Sequence, residues 1–410
     1  MCRGSQYPTG WKETTLGDLA HYINGYAFRP EDWKKVGLPI IRIQQINDPE
    51  AEYDCFDGPI ADQYRIDSGD LLFSWSATLT TLIWNRGPAV LNQHIFKVIP
   101  REGADLHFLH HLLEYLMDEL AGQTHGSTMR HIKRSDLLPF PVVVPSPEEQ
   151  RCIAEILDAA DEAIRQTERV IAKLKAVKAG LLHDLLTRGL DEHGHLRGPQ
   201  AHPEQFKDSP LGRIPKEWDI VPLDSLTEYV TYGFTNPMPT TDDGPWMITA
   251  ADIADGRIRY EQARHTSMSA YEALTRKSRP EVGDILVTKD GTLGRVAVVD
   301  QPHICINQSV ACMRPLPETD VRFLTHYLRS NQGRERMLAD AGGSTIKHIY
   351  ISRLRQMEVP VPGRGERKKI IKILDAHDAR IRAEEAELAK LRQVKRGLMD
   401  DLLTGRVRVT

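Results

Sequence analysis

The chain has 410 residues, 40% of them hydrophobic and 27% charged, and it carries a formal net charge of −4 at pH 7. A chain of this length and composition is expected to form two or three soluble domains. Its net charge argues against a protein that coats nucleic acid through bulk positive charge, but leaves local basic patches free to bind it. The sequence lacks an apolar run of about 18 residues, a signal peptide and a lipidation motif, which predicts a cytoplasmic protein. Its five cysteines are scattered without a CxxC pair and indicate neither a disulfide framework nor a zinc site.

The first 145 residues have the pattern of a mixed α and β domain. A short apolar run at residues 70–73 follows a glycine and predicts a strand. Residues 105–120 predict a helix, and residues 139–144 predict an extended strand that leads into the next segment. Each of these elements has a counterpart later in the chain, which indicates a second domain of the same kind.

The loop that follows the first of these strands, residues 74–78, is a candidate for reading DNA bases. Its counterpart, residues 288–292, matches it at the ends and differs in the middle, as expected of a loop that presents different donors and acceptors on a constant scaffold. A turn whose sequence has drifted because nothing constrains it is an equally good interpretation. On the first interpretation, the candidate DNA-binding residues are Ser76, Thr78, Lys289, Asp290 and Thr292.

The pair Asn92-Gln93 recurs as Asn307-Gln308. These amides could bond to adenine edges, but we expect them to be buried and to close a turn. They are therefore not placed among the candidate DNA contacts.

The sequences GSTMRHIKR from Gly126 and GSTIKHIY from Gly343 form a second kind of candidate loop. Glycine permits a tight turn, hydroxyl and backbone groups can donate hydrogen bonds, and the basic residues add cations, as contacts to DNA phosphates require. Alternatively, the Ser and Thr residues only cap a short helix, and the two roles can coexist because a helix N-terminus attracts anions. The candidate contacts are Ser127, Thr128, Arg130, His131, Lys133 and Arg134 in the first copy and Ser344, Thr345, Lys347, His348 and Arg353 in the second.

Residues 148–187 predict a helix roughly 60 Å long, because apolar side chains recur along it at intervals of three and four. The same stripe returns 217 residues later and includes Val177 and its counterpart Val394. Gly180 and Gly397 lie inside the two predicted helices, where we expect close backbone approach or a break. The residues expected to pair the two helices are Ile153, Leu157, Ile164, Leu174 and Leu181 in the first and Ile370, Leu374, Ile381, Leu391 and Leu398 in the second.

The two long helices are expected to pack against each other. No other predicted element is long enough to cover such a stripe, and a pseudo-twofold relation between the repeats makes the pairing antiparallel. The alternative is that each helix packs separately on its own domain. The predicted fold class is α+β, with two mixed α/β domains separated by two long antiparallel helices that form a coiled-coil spacer.

The chain thus consists of two copies of one module. Residues 173–187, KLKAVKAGLLHDLLT, return at residues 390–404 as KLRQVKRGLMDDLLT, with ten of fifteen positions identical. Between the copies lies a segment rich in Gly, Pro and His, which is predicted as an exposed linker rather than a metal site. The predicted boundaries are residues 1–145 for the first domain, 146–187 for the first long helix, 188–217 for the linker, 218–362 for the second domain and 363–410 for the second long helix.

A search for catalytic motifs narrows the function. The sequence has no GxxxxGK[ST], GxSxG or HExxH motif, so nucleotide-driven and metal-driven chemistry are not expected. Asn236-Pro-Met-Pro239 partly matches the catalytic loop of adenine methyltransferases, but the aromatic residue is missing and no glycine-rich cofactor motif accompanies it.

The duplicated helix end, the phrase FKDSPLGRIPKEW at residues 206–218 and the two GST loops resemble the specificity subunit of type I restriction-modification systems. The resemblance covers essentially the whole chain. It implies two target-recognition domains that each read half of a bipartite site on double-stranded DNA, a helical spacer, and assembly with two adenine methyltransferase subunits and with motor-nuclease restriction subunits. It also implies a subunit without catalytic activity or cofactor, with S-adenosylmethionine, ATP and Mg²⁺ bound only by the partners.

Two other functions stay open at this point. One is a stand-alone DNA-binding or scaffold protein that has lost its enzyme partners, which neighbouring reading frames would distinguish from a specificity subunit. The other is a single-chain methyltransferase with degenerate motifs, which requires that the isolated chain bind S-adenosylmethionine.

Overall fold

In the computed structural model of the protein, the described residues are 8–76, 78–122, 132–339 and 347–409. The chain divides into two compact units, Met1–Arg169 with Glu385–Thr410 (unit 1) and Val170–Glu384 (unit 2). Each unit joins one of the two variable domains to part of both long helices. Among the described residues, no helix is both long and apolar enough to cross a membrane.

Unit 1 is built from short strands and helices in mixed order. The strands are β1 (Lys12–Thr15), β2 (Ala20–Asn24), β3 (Leu38–Ile41), β4 (Cys55–Phe56), β5 (Arg65–Ile66), β6 (Leu71–Ser74), β7 (Thr80–Ile83), β8 (Ala89–Leu91), β9 (Ile95–Pro100) and β10 (Pro141–Val144). The helices are α1 (Leu16–Leu19), α2 (Ile43–Asn47), α3 (Leu106–Tyr115), α4 (Met117–Gly122) and α5 (Arg134–Leu137), with 3₁₀ turns at Pro30–Asp32 and Asp62–Tyr64. One sheet has the order β2-β9-β6-β7, a second has β4-β3-β8-β5, and β1 pairs with β10.

The strand predicted after Gly69 is present as β6, which lies between β7 and β9 and is buried along its whole length. Gly69 has φ of +100°, a conformation that glycine adopts without strain. Its counterpart Gly283 has φ of +97° and precedes a second buried strand, Ile285–Thr288. The glycine turn and the apolar run therefore position the loops that follow both strands.

The helix predicted at residues 105–120 is present as two pieces, α3 and α4. Asp105 caps α3, since its carboxylate accepts a hydrogen bond of 2.9 Å from the Phe108 N–H. The pieces are separated by Leu116, whose N–H is shared between the Leu112 and Glu114 carbonyls. The interruption is thus a local change of hydrogen bonding that the apolar spacing does not reveal.

The first long helix, α6 (Pro147–Thr187), has 41 residues and begins with a proline, which a first helical turn tolerates. Ile153 and Leu157, two of the residues predicted to pair the helices, are fully buried in the core of unit 1. At the other end of α6, Leu185 and Leu186 lie in the core of unit 2. Each end of the helix is therefore part of a domain core.

Unit 2 repeats the architecture of unit 1. Its strands are β11 (Phe206–Ser209), β12 (Gly212–Pro215), β13 (Asp219–Pro222), β14 (Thr227–Tyr232), β15 (Thr241–Ile248), β16 (Ile253–Ala254), β17 (Arg257–Ile258), β18 (Arg264–His265), β19 (Ile285–Thr288), β20 (Val296–Val298), β21 (Ile304–Ile306), β22 (Val310–Pro315) and β23 (Glu358–Val361). Its helices are α7 (Met268–Glu272), α8 (Val321–Arg329), α9 (Asn331–Ala339), α10 (Ile351–Gln356) and the long α11 (Arg364–Leu402), which continues into unit 1. The 3₁₀ turns are at Pro203–Gln205, Leu223–Leu226, Ala250–Asp252, Tyr260–Gln262 and Arg276–Ser278.

The sheet orders confirm the internal repeat. The order β14-β22-β19-β20 in unit 2 corresponds strand for strand to β2-β9-β6-β7 in unit 1, and β13-β23 corresponds to β1-β10. Each unit also has a parallel pairing between two of its named strands, β3 with β8 and β15 with β21. Both units are mixed α and β structures, as the sequence predicted.

The long helices run antiparallel within each unit. In unit 1, Arg392 on α11 pairs with Glu168 on α6 at 2.7 Å, and Lys395, one turn further along α11, pairs with Asp161 at 2.7 Å. As the residue number rises along α11, the number of its partner on α6 falls, which is the order expected of antiparallel helices. In unit 2, Lys178 on α6 forms an ion pair with Asp378 on α11.

The helix stripe is less buried in the C-terminal half of each long helix than its apolar spacing predicts. Ile164, Ile370, Leu374 and Ile381 are buried, whereas Leu174, Leu181, Leu391 and Leu398 are half-buried. Val177 and Val394 are exposed, at 43% and 47%. The predicted pairing residues are therefore covered mainly in the N-terminal half of each long helix.

Within the described residues, neither of the features expected at the helix glycines is present. Both α6 and α11 are continuous through Gly180 and Gly397. A Cβ added at either position would meet no atom of the described part of the chain within 4 Å. Neither a break nor close backbone approach within the chain accounts for these two glycines.

The segment predicted as a linker packs on unit 2. Its strands β11 and β12 form an antiparallel hairpin, and Leu190, Leu211 and Ile214 lie in the unit 2 core. Arg197 pairs with Glu366 at 2.6 Å. The histidines of this segment are largely exposed, as predicted.

Candidate nucleic-acid interface

Three segments of unit 1 that are distant in sequence meet at one place. They are the loop after β6, the Asn92-Gln93 turn between β8 and β9, and the residues before α5. The Ile132 N–H donates to the Trp75 carbonyl at 3.0 Å, and the Trp75 N–H donates to the His94 carbonyl at 3.4 Å. We call this group, residues 74–76, 78, 92–94 and 132–134, loop cluster 1.

Unit 2 contains the same arrangement. The Ile349 N–H donates to the Lys289 carbonyl at 3.0 Å, and the Lys289 N–H donates to the Ser309 carbonyl at 2.9 Å. We call residues 288–292, 307–309 and 347–350 loop cluster 2. The strand loop and the segment that follows the GST sequence, which the sequence identified separately, are therefore neighbours in both units.

A hydroxyl at the end of the buried strand closes the strand loop in each unit. Ser74 Oγ donates to the Thr78 carbonyl at 2.8 Å, and Thr288 Oγ1 donates to the Thr292 carbonyl. Thr288 Oγ1 also accepts a hydrogen bond of 2.9 Å from the Arg295 N–H. The matching ends of the two loops thus form a scaffold.

The side chains between these ends differ in position as well as in type. Thr78 and Thr292 are exposed, and Lys289 and Asp290 are half-buried. Ser76 is only 5% exposed, and its carbonyl accepts from Ser74 Oγ at 3.4 Å. Among these five predicted contacts, Ser76 therefore belongs to the scaffold rather than to the outer surface.

Two predicted cations of loop cluster 2 are engaged by Asp290. His348 Nδ1 bonds to one carboxylate oxygen, and Lys289 Nζ lies 2.7 Å from the other. Burial acts to raise the pKa of Asp290, but the hydrogen bonds from His348 and Lys289 outweigh it and hold this pKa below its ordinary value. Lys289 Nζ also lies 5.6 Å from the ring centroid of the exposed Tyr232. The charge of this group is thus largely balanced internally.

Other predicted cations are presented to solvent. Lys133 and Arg134 begin α5 in unit 1, and Lys347 and Arg353 flank the start of α10 in unit 2. All four are exposed. The remaining predicted contacts, Ser127, Thr128, Arg130, His131, Ser344 and Thr345, lie outside the described residues.

The Asn-Gln turn has two halves with different roles. Asn307 Oδ1 accepts from the Ser309 N–H at 3.1 Å and from Ser309 Oγ at 2.6 Å, and Asn92 Oδ1 accepts from the His94 N–H at 3.5 Å. The asparagines therefore close the turn, as predicted, although they are half-buried rather than buried. The prediction fails for the glutamines, because the Gln93 and Gln308 side chains are exposed.

Sequence reasoning missed a glycine that shapes each loop cluster. Gly25 lies against the end of β8, where a Cβ would overlap the carbonyl oxygen of Leu91. Gly233 lies in the same way against the end of β21, where a Cβ would overlap the carbonyl oxygen of Ile306. The carbonyl of the aromatic residue after each glycine accepts a hydrogen bond from the Asn-Gln turn. In unit 1, the donor is the Gln93 N–H, at 3.0 Å. The sequence does contain a signal for this feature, which is a glycine followed by an aromatic residue at matching places in the two copies, Gly25-Tyr26 and Gly233-Phe234.

One group of side chains in unit 1 has a composition that metals favour. The possible ligand atoms of His110, His111, Glu114 and Asp161 lie within 4.8 Å of one another. The ammonium of Lys395 already lies 2.7 Å from both carboxylates. We assign the group as an ion-pair network, because a lysine cation occupies the position between the acids.

The sequence matches the family model described as type I restriction modification DNA specificity domain, at residues 8–176 and again at residues 215–393. Among relatives, it is 24% identical over 376 residues to the EcoBI specificity subunit of Escherichia coli, covering 88% of this chain and 78% of the relative. It is 22% identical over 419 residues to the MjaVIII specificity subunit of Methanocaldococcus jannaschii, covering 99% and 95%. Both relatives are type I restriction enzyme subunits.

The fold is shared with solved structures. The type I restriction-modification S subunit from M. genitalium matches with a TM-score of 0.57 at 15% identity, over 98% of each chain. A chain from a structure that describes assembly and conformational transition of the type I R-M system matches with a TM-score of 0.55 at 18% identity, over 98% of this chain and 100% of that one. With two matches to its domain and a sheet order that repeats, the chain belongs to the family of type I restriction-modification specificity subunits, with two target-recognition domains.

Proposed function

We propose that this chain is the non-catalytic recognition subunit of a type I restriction-modification enzyme and that each unit reads one half of an asymmetric bipartite DNA site. The observation that carries the proposal is the loop cluster, which is built twice by the same backbone hydrogen bonds and presents different side chains each time. Two unlike half-sites need two unlike readers on a common scaffold. The exposed cations Lys133, Arg134, Lys347 and Arg353 supply phosphate contacts beside these loops.

Two equivalent surfaces on the long helices dock two identical methyltransferase subunits. Val177 and Gly180 are exposed on α6, three residues apart and so on one face, and Val394 and Gly397 repeat them on α11. An exposed glycine inside a helix costs about 1 kcal/mol relative to alanine. Close approach of a partner backbone explains why both copies carry it, since no atom of the described residues would lie within 4 Å of a Cβ at either glycine.

The long helices act as a spacer that sets the distance between the two recognition domains. With 41 and 39 residues, each is roughly 60 Å long at 1.5 Å per residue. Readers on one face of B-DNA need a separation of about 34–36 Å or a multiple of it. A pair of helices of this length can enforce such a separation.

The partners supply the chemistry in this proposal. S-adenosylmethionine belongs to the methyltransferase subunits, and ATP and Mg²⁺ belong to the restriction subunits. The chain acts in the cytoplasm on double-stranded DNA, as the function of the complex requires.

Co-purification tests the proposal. The chain is expressed with and without the methyltransferase encoded beside it, and the mass of the complex is measured in solution. One copy of the chain with two methyltransferase subunits supports the proposal. A chain that stays alone favours a stand-alone DNA-binding or scaffold protein.

A further inference from the structure

Gln93 and Gln308 occupy the same place in the two loop clusters. In each, the glutamine N–H donates to the carbonyl of the Gly-aromatic loop, to Tyr26 O at 3.0 Å and to Phe234 O at 2.9 Å. The preceding asparagine ties down the other side of the turn. Both glutamine side chains therefore project into solvent from a backbone that is held on two sides.

The neighbours of the two glutamines differ. His94 follows Gln93, whereas Ser309 follows Gln308. The Gln93 amide donates a hydrogen bond from Nε2 to His94 Nε2 at 3.3 Å. The strand loops beside them also differ, as residues 74–78 and 288–292 show. Because the amide is the same in both loop clusters while its neighbours differ, it is suited to reading a feature that the two half-sites share.

The chemistry of the amide indicates which feature this is. A glutamine side chain offers one donor and one acceptor in a plane, which matches N7 and the N6 amino group of adenine in the major groove. The amide is uncharged, so it adds no charge attraction to phosphates. On the proposed function, the adenine that is methylated is flipped out of the duplex, so the adenine that a glutamine can read is another base of the same half-site.

We propose that Gln93 and Gln308 are specificity-determining residues, each of which reads an adenine of its own half-site through a pair of hydrogen bonds. The inference rests on the proposed function and goes beyond it by assigning one base to one side chain in each domain. Residues that differ between the loop clusters then read the bases that differ between the half-sites.

The test is genome-wide mapping of methylated adenine in cells that express the intact chain with its methyltransferase. Gln93→Ala is expected to relax one adenine position in one half-site, with discrimination reduced on the order of ten- to a hundredfold, and to leave the other half-site unchanged. Gln308→Ala is expected to do the same in the opposite half-site. Gln205→Ala, at an exposed glutamine outside the loop clusters, is the matched control and should leave the whole motif unchanged.

A second substitution makes the test sharper. Gln93→Glu keeps the shape of the side chain but removes its donor, and is expected to move the preference at that position towards cytosine, whose amino group a carboxylate accepts. A motif that stays the same in all variants overturns the assignment, as does slower methylation without relaxation at one position. Loss of the methyltransferase complex in both Gln93 variants also overturns it, since the side chain would then be structural. A wild-type chain that directs no bipartite methylation instead contradicts the proposed function.

Discussion

Lys395 on α11 lies 2.7 Å from Asp161 on α6, and the same ammonium bonds to Glu114 on α3. One side chain thus connects both long helices with the recognition domain of unit 1. Lys178 and Asp378 are the corresponding pair in unit 2. Because both pairs are largely buried, removing one partner is expected to cost more than it does at a surface ion pair.

Lys395→Met is expected to lower the stability of unit 1 by about 3 kcal/mol, because it leaves two carboxylates without their cation. Lys395 is 11% exposed and Glu114 is 40% exposed, so part of the charge is screened by solvent. The control is Arg392→Ala, which removes the exposed pair with Glu168 and should cost less than about 1 kcal/mol. Urea unfolding of the full chain compares the two variants, and equal losses would show that burial of the network does not matter.

Stability should fall as the pH is lowered from about 6.5 to about 4, in part through His110. Burial, helped by the neighbouring His111, lowers the pKa of His110 from 6.5 to about 4. Between these values the unfolded chain binds a proton that the folded chain does not, so acid favours unfolding. The expected contribution is on the order of 1–3 kcal/mol.

The variant that tests this is His110→Thr, which introduces the residue found at the matching position, Thr325. It should flatten the decline in unfolding free energy over the same pH range. His195→Thr changes a histidine whose side chain is 81% exposed and should leave the decline as it is. A His110→Thr chain with the full wild-type decline would show that other groups cause it.

Val177→Asp and Val394→Asp should each remove one methyltransferase subunit from the complex, and the double variant should remove both. Both side chains are exposed, so the chain itself should remain folded. The mass of the complex in solution is the measurement. Val36→Asp, at a side chain that is 78% exposed in unit 1, should keep two subunits. Full occupancy in the double variant would place the docking surfaces elsewhere.

Inserting one helical turn of four residues on the domain side of both α6 and α11 should change the gap between the half-sites that the complex recognises. The reason is that four residues add about 6 Å to the spacer, at 1.5 Å per residue. The half-site sequences themselves should not change, because the loop clusters are untouched. The methylated motif reports gap and sequence together, and an unchanged gap would refute the spacer role.

Features set by short-range chemistry could be predicted from the sequence. Gly69 and Gly283 marked the turns before two buried strands, and the repeated helix ends indicated two long helices. The apolar spacing did not show that Val177 and Val394 would be exposed, since spacing records which face is apolar and not what covers it.

Features set by long-range pairing could not be predicted. The meeting of Trp75 with Ile132, and of Lys289 with Ile349, depends on backbone hydrogen bonds that leave no mark in the sequence. The different roles of Asn307 and Gln308 likewise depend on which side chain the turn directs inward.

The most direct test of the central claim is to map methylated adenines across the genome of cells that express the wild-type chain with its methyltransferase. We predict methylation at a single asymmetric motif with two unlike parts separated by a fixed gap of unread bases. Methylation at a symmetric or continuous motif, or at no motif although the complex forms, would contradict the claim that each of the two units reads its own half-site.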